Sequence, residues 1–573
     1  MATFQKRNSR GHTYWSIVES RRINGKPRPV ILEYLGTADT FLEKLRSSGT
    51  SKVRSYFHGN VSALLKTAQE LNLVQILNRY VPQQQMRDGL TVGASLFLAA
   101  LGRACRPTSK RAWHSLWAKT TSLSHILKMN LRRLDSQHFW DQMDAFPVDK
   151  IPLAEEEIIK TLVEKFELKL DTVFCDMTNF FTYIASTNER CTIAKRGKNK
   201  QKRADLKQFG MALLASKDGP FPLFHDLYQG NLNDKTVFKE RFDKFLKRLK
   251  TLAGSLEKIT LVFDQGCNSK VMLGEVKEKI KFVGALSPIH HKKLIAEANV
   301  GLIVENLGDR KLKVFRTKKK IWGRIFSTVV YVSPKLKAGQ IRALEKGIKN
   351  IENQFDTLQK SLLTPSKKKS EGIKENIEKK ILGAIKKNKL PEGLIIWRLE
   401  ETPIRGCFRF RYKVSKRKLK DLKENKFGRR ILITNRHDWS NAEIMRAYWG
   451  QSCAEYLFER IKNPFFLGLR PQYHWTDQKI HVHGFICMLA CILVMATLRK
   501  AHESGFKGSV IHLMSSLAEI RLATILEKQE KGKRGKFKVK YCFEEMEKPI
   551  KKLADGLLIS ENTIFPDISL SVY

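Results

Sequence analysis

Two stretches of the chain, DTVFCDMTNFF and ITLVFDQGCNS, run apolar and then present a carboxylate, Asp176 in the first and Asp264 in the second. A lone Asp at a strand end ordinarily caps the turn or helix that follows. Two of them on neighbouring strands have a further consequence, because adjacent strand ends converge in space. Carboxylates held that close repel unless a cation sits between them, and hard cations such as Mg²⁺ take oxygen ligands and serve phosphate chemistry. A site for two ions needs a third acid. The stretch WSNAEIMRAYWGQSCAEYLFERIKNP offers one: Ser440 and Glu443 have the spacing of a capping box that opens a helix, and Pro464 stops that helix just after Lys462. On one continuous helix Tyr448, Gln451, Glu455 and Lys462 fall within an arc of about 60°. That face carries a phenol, an amide, a carboxylate and an ammonium. Glu459 lies close to the same face, so helical geometry does not choose between it and Glu455.

The rest of the sequence supplies a setting for such a site. The chain has 573 residues with 105 Lys and Arg against 57 Asp and Glu, a formal net charge of +48. An excess of that size on a chain with 42% hydrophobic residues describes a folded protein that meets a polyanion, nucleic acid first among them. Nine cysteines without a CxxC pair exclude a disulfide framework and a zinc ribbon and fit reduced thiols in the cytoplasm. His481 and His483 in HVH lack the partners of a four-ligand zinc site. The N-terminus has no apolar signal core. The apolar run FICMLACILVMATL, 485–498, falls short of the roughly 20 residues that span a bilayer and reads as a buried core helix.

Patterning divides the chain into two to four domains' worth of elements. Residues 1–54 alternate as strands around NGKPRP, a hairpin signal. Residues 55–167 carry helical periodicity and suit a DNA-binding region. Strand signals recur over 168–288 (DTVFCD, FGMALLAS, PFPLFHDLYQG, KITLVFD, KFVGALSP), with the basic amphipathic helix KTVFKERFDKFLKRLKTL before KITLVFD. Three antiparallel strands, a helix, then a strand returning to the first predict an α/β fold with an RNase H-like mixed sheet. Residues 289–435 read as an inserted subdomain of strands and lysine-rich helices. The core resumes over 436–505, and 506–573 reads as a helical, then irregular, C-terminal region for dimerisation. The run KRGKNKQKR, opening at Lys195 and Arg196, lies in the first hairpin loop near the acids and would track DNA phosphate. Trp322 and Trp449 are candidate stacking partners for an extruded base.

The order Tyr448, Gln451, Glu455, Lys462 resembles the Tyr, Arg, Glu, Lys signature of DDE-type bacterial insertion-sequence transposases of the IS-four group. LRPQYHWTDQKIHVHGFICMLACILV, INGKPRPVILEYLG and DMTNFF look like one branch of that group, so the resemblance covers most of the chain. It implies that Asp176, Asp264 and Glu455, rather than Glu459, form a catalytic triad holding two Mg²⁺ ions, with Mn²⁺ a workable substitute. It further implies that Tyr448 and Lys462 hold the element's end. The partners it implies are double-stranded DNA at terminal inverted repeats and at the target, with a homodimer joining two ends, in a bacterial cytoplasm. Gln451 departs from the signature's Arg, which exchanges a bidentate phosphate clamp for a neutral donor. Two other functions share the same composition: an RNase H-fold nuclease or resolvase without strand transfer, and an inactive DNA-binding inhibitor of transposition.

Overall fold

The computed structural model describes residues 2–9, 11–23, 26–47, 52–82, 87–199, 203, 205–264, 279–308, 310–363, 373–404, 406–469, 472–527 and 538–562. The chain divides into two compact units, Met1–Phe146 with Leu493–Tyr573, and Pro147–Ile492.

In the first unit β1 (Ala2–Ser9), β2 (His12–Ile23) and β3 (Lys26–Gly36) form an antiparallel meander backed by the helix Ala38–Ser47. Strands β2 and β3 pair as the NGKPRP signal predicts, although its Asn24 and Gly25 lie outside the described residues. After β4 (Lys52–Phe57) come the helices Gly59–Glu70, Leu73–Arg79 and Val92–Cys105, which bury a mainly apolar set of side chains together with Asn60, Ser62, Thr67 and Ser95.

The second unit is built on one large mixed sheet. Its strands are β5 (Thr172–Phe181), β6 (Gln208–Ser216), β7 (Pro222–Gln229), β8 (Thr260–Phe263), β9 (Lys281–Leu286), β10 (Ile303–Asn306), β11 (Lys311–Ile321) and β12 (Arg324–Val332). A separate hairpin, β13 (Ile395–Glu401) with β14 (Phe408–Val414), comes next, and β15 (Arg429–Thr434) then returns to the large sheet. The order is β10-β11-β12-β15-β9-β8-β5-β6-β7. Strands β5, β6 and β7 are antiparallel, whereas β8 pairs parallel with β5 and β9 parallel with β8. The crossover that makes β8 parallel to β5 is the helix Asp234–Ala253, opened by the Asn233 side chain, which accepts from Thr236 N at 3.0 Å, and closed at Gly254 with φ +74°. Its Val237, Phe242, Phe245, Leu246 and Leu249 are buried, the apolar stripe of an otherwise basic helix.

Both faces of the sheet are covered, which is why FGMALLAS and TLVF read as continuous apolar runs instead of alternating. Phe180 stacks on Phe209 at 5.6 Å and Phe263 on Phe282 at 5.7 Å, all four fully buried. The hairpin β13–β14 packs on the helices Pro334–Leu362 and Ile373–Lys387 over a core of its own that includes Leu344, Ile351, Phe355, Ile381, Leu399 and Phe410. The lysine-rich stretch 366–372 is outside the described residues. Strands β10 to β12, read from sequence as part of an insertion, extend the large sheet through the β12–β15 pairing.

In the first unit the C-terminal segment adds β16 (Arg521–Glu527) and β17 (Lys538–Phe543), which join β4 in a three-stranded sheet. Strand β16 therefore follows the helix Val510–Glu519 where the sequence suggested irregular chain, and β17 begins in EKQEKGKRGKFKVKY, which reads from sequence as a basic loop or strand edge; the basic stretch 528–537 is outside the described residues. The helix Asp477–Glu503, with 485–498 at its centre, is long and apolar enough to cross a membrane, but its apolar window is 94% buried in the protein.

One buried ion cluster ties the second unit's helices to its sheet. Glu155, on the helix Ile151–Phe166, accepts from His225 Nδ1 at 2.6 Å and from Arg248 Nη2 at 2.7 Å. Burial alone pushes the Glu155 carboxyl up, yet His225 and Arg248 together outweigh it and hold the group below the usual carboxylate range. A carboxyl depressed in the folded state stabilises above its unfolded pKa and stops doing so as pH falls through the folded value. Glu155→Ala should cost about 3–5 kcal/mol, because it strands a buried guanidinium. Urea unfolding at neutral pH reads that loss, and the variant should lack the part of the wild type's acid destabilisation that sets in below about pH 4.

Candidate functional site

Parallel pairing of β5 with β8 runs from Thr172 opposite Thr260 to Cys175 opposite Phe263. The next residue on each strand is an acid, so Asp176 and Asp264 stand side by side where β8 ends, on backbones about 4.8 Å apart. Two unit charges 4–5 Å apart repel by about 1 kcal/mol in water and about 3–4 kcal/mol near a protein surface. The pair therefore calls for a compensating donor or cation. Asp176 is half-buried and Asp264 exposed. Asp176 Oδ1 accepts from the amide of Met177 at 2.8 Å, and Asp264 Oδ1 accepts from the hydroxyl of Tyr448 at 3.1 Å.

Tyr448 sits near the end of the helix Asn441–Trp449, which opens with the full capping box of Ser440 and Glu443. Its hydroxyl also accepts from Arg430 Nη1 at 3.4 Å, so an arginine, a phenol and a carboxylate form a chain that ends at Asp264. Burial, and then the charge of Asp264, push the Tyr448 hydroxyl up, which keeps it protonated and donating. Arg430 is a site residue that sequence reading missed: GRRILIT shows two basic residues before a strand, but not which one turns toward the acids.

The single helix expected across Tyr448 and Lys462 is two helices. Asn441–Trp449 and Ser452–Lys462 meet at Gly450 and Gln451, where three-residue hydrogen bonds replace the α pattern, Gln451 N to Tyr448 O at 3.2 Å and Cys453 N to Gly450 O at 2.9 Å. The junction lies against β5: a Cβ at Gly450 would stand 2.5 Å from the end of the Phe174 ring. Twelve residues on, Lys462 Nζ donates to Thr178 Oγ1 and lies 5.7 Å from the centre of the Phe180 ring. Phe174, Asp176, Thr178 and Phe180 alternate onto one face of β5, so the helix Ser452–Lys462 runs along that face in the strand's direction. Glu455 and Lys462 are two turns apart on one helix face, within about 20°. Glu455 thus comes level with Asp176, and Glu459, which is 3.8 Å from Arg460, lies a turn beyond. Glu455 is exposed. Among the described residues no three His, Cys, Asp or Glu side chains stand together as a ready-made metal site. The arrangement is a carboxylate pair with a third carboxylate on the helix beside it.

Beyond Asp176 the same strand borders a cleft of about 780 Å³. Arg196, Lys198 and Lys462 supply its cations and Asn179, Asn199, Asn231 and Asn233 its amides, and among the described residues no carboxylate lines it. Such a lining accepts an anion with many oxygens. The Thr178 and Asn179 contributions went unread because each looks like an ordinary strand residue. Lys195 and Arg196 are exposed in the connection between β5 and β6, where Lys195 pairs its backbone with Gln208; residues 200–202 of that basic run are outside the described residues.

The other sequence-selected residues lie apart from these contacts. Gln451 is 8% exposed at the helix junction. Trp449 donates from its indole nitrogen to the Tyr331 hydroxyl at 3.2 Å and lies under the Arg310 guanidinium at 4.7 Å. Trp322 occupies the tip of the β11–β12 hairpin with φ +49°, next to Gly323 at +84°. That two-residue turn favours Asn-Gly, and a bulky side chain in the left-handed region costs about 1–2 kcal/mol. The Trp322 ring is 38% exposed. His483 is buried against the His474 ring at 4.8 Å, and burial lowers the pKa of His481.

Gly450→Ala should destabilise the protein by about 1–3 kcal/mol, since the methyl must displace the Phe174 ring or the helix. Thermal unfolding checks the cost. A melting temperature equal to wild type would show that the helix is not seated on Phe174.

No protein-family model matches the chain, and no curated protein does. Among solved structures the chain is similar to the piggyBac transposase in a cryo-EM synaptic complex with hairpin DNA, with 9% identity, 82% of each chain covered and a TM-score of 0.37. A likeness that distant assigns neither family nor activity to this chain.

Proposed function

We propose that this protein is a DNA transposase of the DDE type, cutting at its element's terminal inverted repeats and joining the freed ends to target DNA. The observation that carries the reading is the parallel register that seats Asp176 beside Asp264, with Glu455 on the helix that runs along the same strand face. The strand order supports an RNase H-like core: three antiparallel strands, a crossover helix, and a strand returning beside the first. The donor set is oxygen only, which suits Mg²⁺ or Mn²⁺ and not zinc.

Asp176, Asp264 and Glu455 would hold the divalent ions. Bound there, the ions would supply Lewis-acid activation of the attacking oxygen and stabilise the leaving one. The chain's own residues do the rest. Tyr448 fixes the rotamer of Asp264 through its hydroxyl, and Arg430 fixes Tyr448. Lys462, Arg196 and Lys198 hold the phosphate backbone of the DNA end in the carboxylate-free cleft, a step from Asp176. Lys195 extends that basic rim. Trp322, on its strained hairpin tip, is available to stack on a displaced base. The terminal repeats and target duplex are the proposed partners, and a homodimer is the proposed assembly, on the resemblance to the IS-four group.

The test is cleavage and joining of a labelled terminal-repeat duplex in Mg²⁺ or Mn²⁺. Asp176→Ala, Asp264→Ala and Glu455→Gln should abolish both reactions while leaving duplex binding in place. Tyr448→Phe removes one hydrogen bond to a charged group, about 1.5–3 kcal/mol, and should slow cleavage about 10- to 100-fold. Glu459→Gln should cut like wild type. Equal cutting by wild type and Glu455→Gln would overturn the assignment of the third acid. End cutting with no joining under any condition would favour a nuclease.

A further inference from the structure

The hairpin β13–β14 has two faces of opposite character, and its sequence shows why. IIWRLEE and FRFRYKV alternate apolar and charged residues with period two. Leu399, Phe408 and Phe410 are buried toward the helices, joined on that side by Trp397 and Tyr412. The backing is firm: the Tyr412 hydroxyl donates to Asp356 Oδ1 at 2.6 Å, and Gln359 Nε2 donates to Phe410 O at 2.8 Å. The outward face carries Ile396, Arg398 and Glu400 on one strand and Arg409, Arg411 and Lys413 on the other. That is four cations and one carboxylate.

Register makes the face electrostatically unfavourable in isolation. Arg398 stands directly opposite Arg411, an arrangement that destabilises a strand pair. Glu400 offsets part of this by accepting from Arg398 Nε at 2.9 Å. Arg409, Arg411 and Lys413 make no ion pair among the described residues, and all three are exposed. Like charges held rigidly opposite each other on a flat, well-backed ribbon are stabilised by a bound polyanion. A two-stranded ribbon also has the width that the roughly 12 Å major groove of duplex DNA admits, with arginines suited to phosphate and guanine edges. A membrane surface would ask for more apolar area than Ile396 provides.

We propose that the outward face of β13–β14 is a second duplex-DNA-binding surface, with Arg398, Arg409, Arg411 and Lys413 as its contacts and Glu400 as a brake on its affinity. The surface works without the carboxylates, so binding can be measured in EDTA on the full chain carrying Asp176→Ala, and failure of the cleavage reading leaves this result untouched. The probe is a labelled duplex of about 20 base pairs, followed by fluorescence anisotropy over a salt series. Replacing the four cations by Gln should weaken binding at least tenfold near 0.1 M salt and flatten the log–log salt slope by about 3.6 if all four contact phosphate. A control replacing the exposed Lys346, Lys349, Lys379 and Lys380 by Gln removes the same charge and should cost less than about threefold, as expected for screened charges off the surface. Glu400→Gln should tighten binding about two- to fivefold, an outcome misfolding does not produce. Equal losses in the ribbon and control variants, or no gain from Glu400→Gln, would overturn the proposal. So would a loss confined to single-stranded DNA or to anionic phospholipid vesicles.

Discussion

Strand β8 returns beside β5 because the basic amphipathic helix Asp234–Ala253 carries the chain back across the sheet, and that parallel pairing is what the site depends on. Parallel strands share a direction, so residues at equal register end up at the same edge. Asp176 and Asp264 hold equal register. Neither acid has chemical meaning alone; side by side they form a repulsive pair in a chain that is otherwise strongly basic. The Met177 amide donates to Asp176, and the Tyr448 hydroxyl, held in turn by Arg430, donates to Asp264.

The position of Glu455 is set by one packing contact and one hydrogen bond on its helix. Gly450 lets the Phe174 ring approach the helix junction, and Lys462 reaches Thr178 on the same strand face. Those two contacts fix both ends of the helix Ser452–Lys462 along β5, and Glu455 follows from where it lies between them. The same strand then runs on to border a cleft lined by Arg196, Lys198 and Lys462. Acids and cations are thus separated along one strand, with the carboxylates at Asp176 and the anion-binding residues from Thr178 onward. A polyanion lying in the cleft would bring a phosphate to the acids while its neighbours are neutralised by lysine and arginine.

Much of this was legible because its causes are local. The apolar run that ends in Asp264, the capping box of Ser440 with Glu443, and the stop before Pro464 are short-range signals, and each appears as an element boundary. Asp176, read from sequence as a strand end, lies inside β5, which continues to Phe181 because β6 pairs with it as far as that residue. What was not legible depends on distant partners. The sequence around Gly450 and Gln451 reads as one continuous helix, while the close seat of Gly450 against Phe174 appears only in the fold. Strands β10 to β12 carry good strand sequences but nothing that names β15 as their neighbour. Strand β16 pairs with β4 from the other end of the chain, and nothing in RLATILE names that distant partner. Arg430 could not be told from Arg429, which is buried and bonds Asn299. Trp322 was noticed for its ring, while its left-handed backbone at a hairpin tip emerges only from the pairing of Ile321 with Arg324.

The most direct test of the central claim is anomalous diffraction from crystals of the protein equilibrated with Mn²⁺. The account predicts a manganese peak between the Asp176 and Asp264 carboxylates, with Glu455 turned toward it, and loss of that peak in Asp264→Asn. Manganese bound elsewhere, with none between the two aspartates at a concentration that supports DNA cleavage, would contradict it.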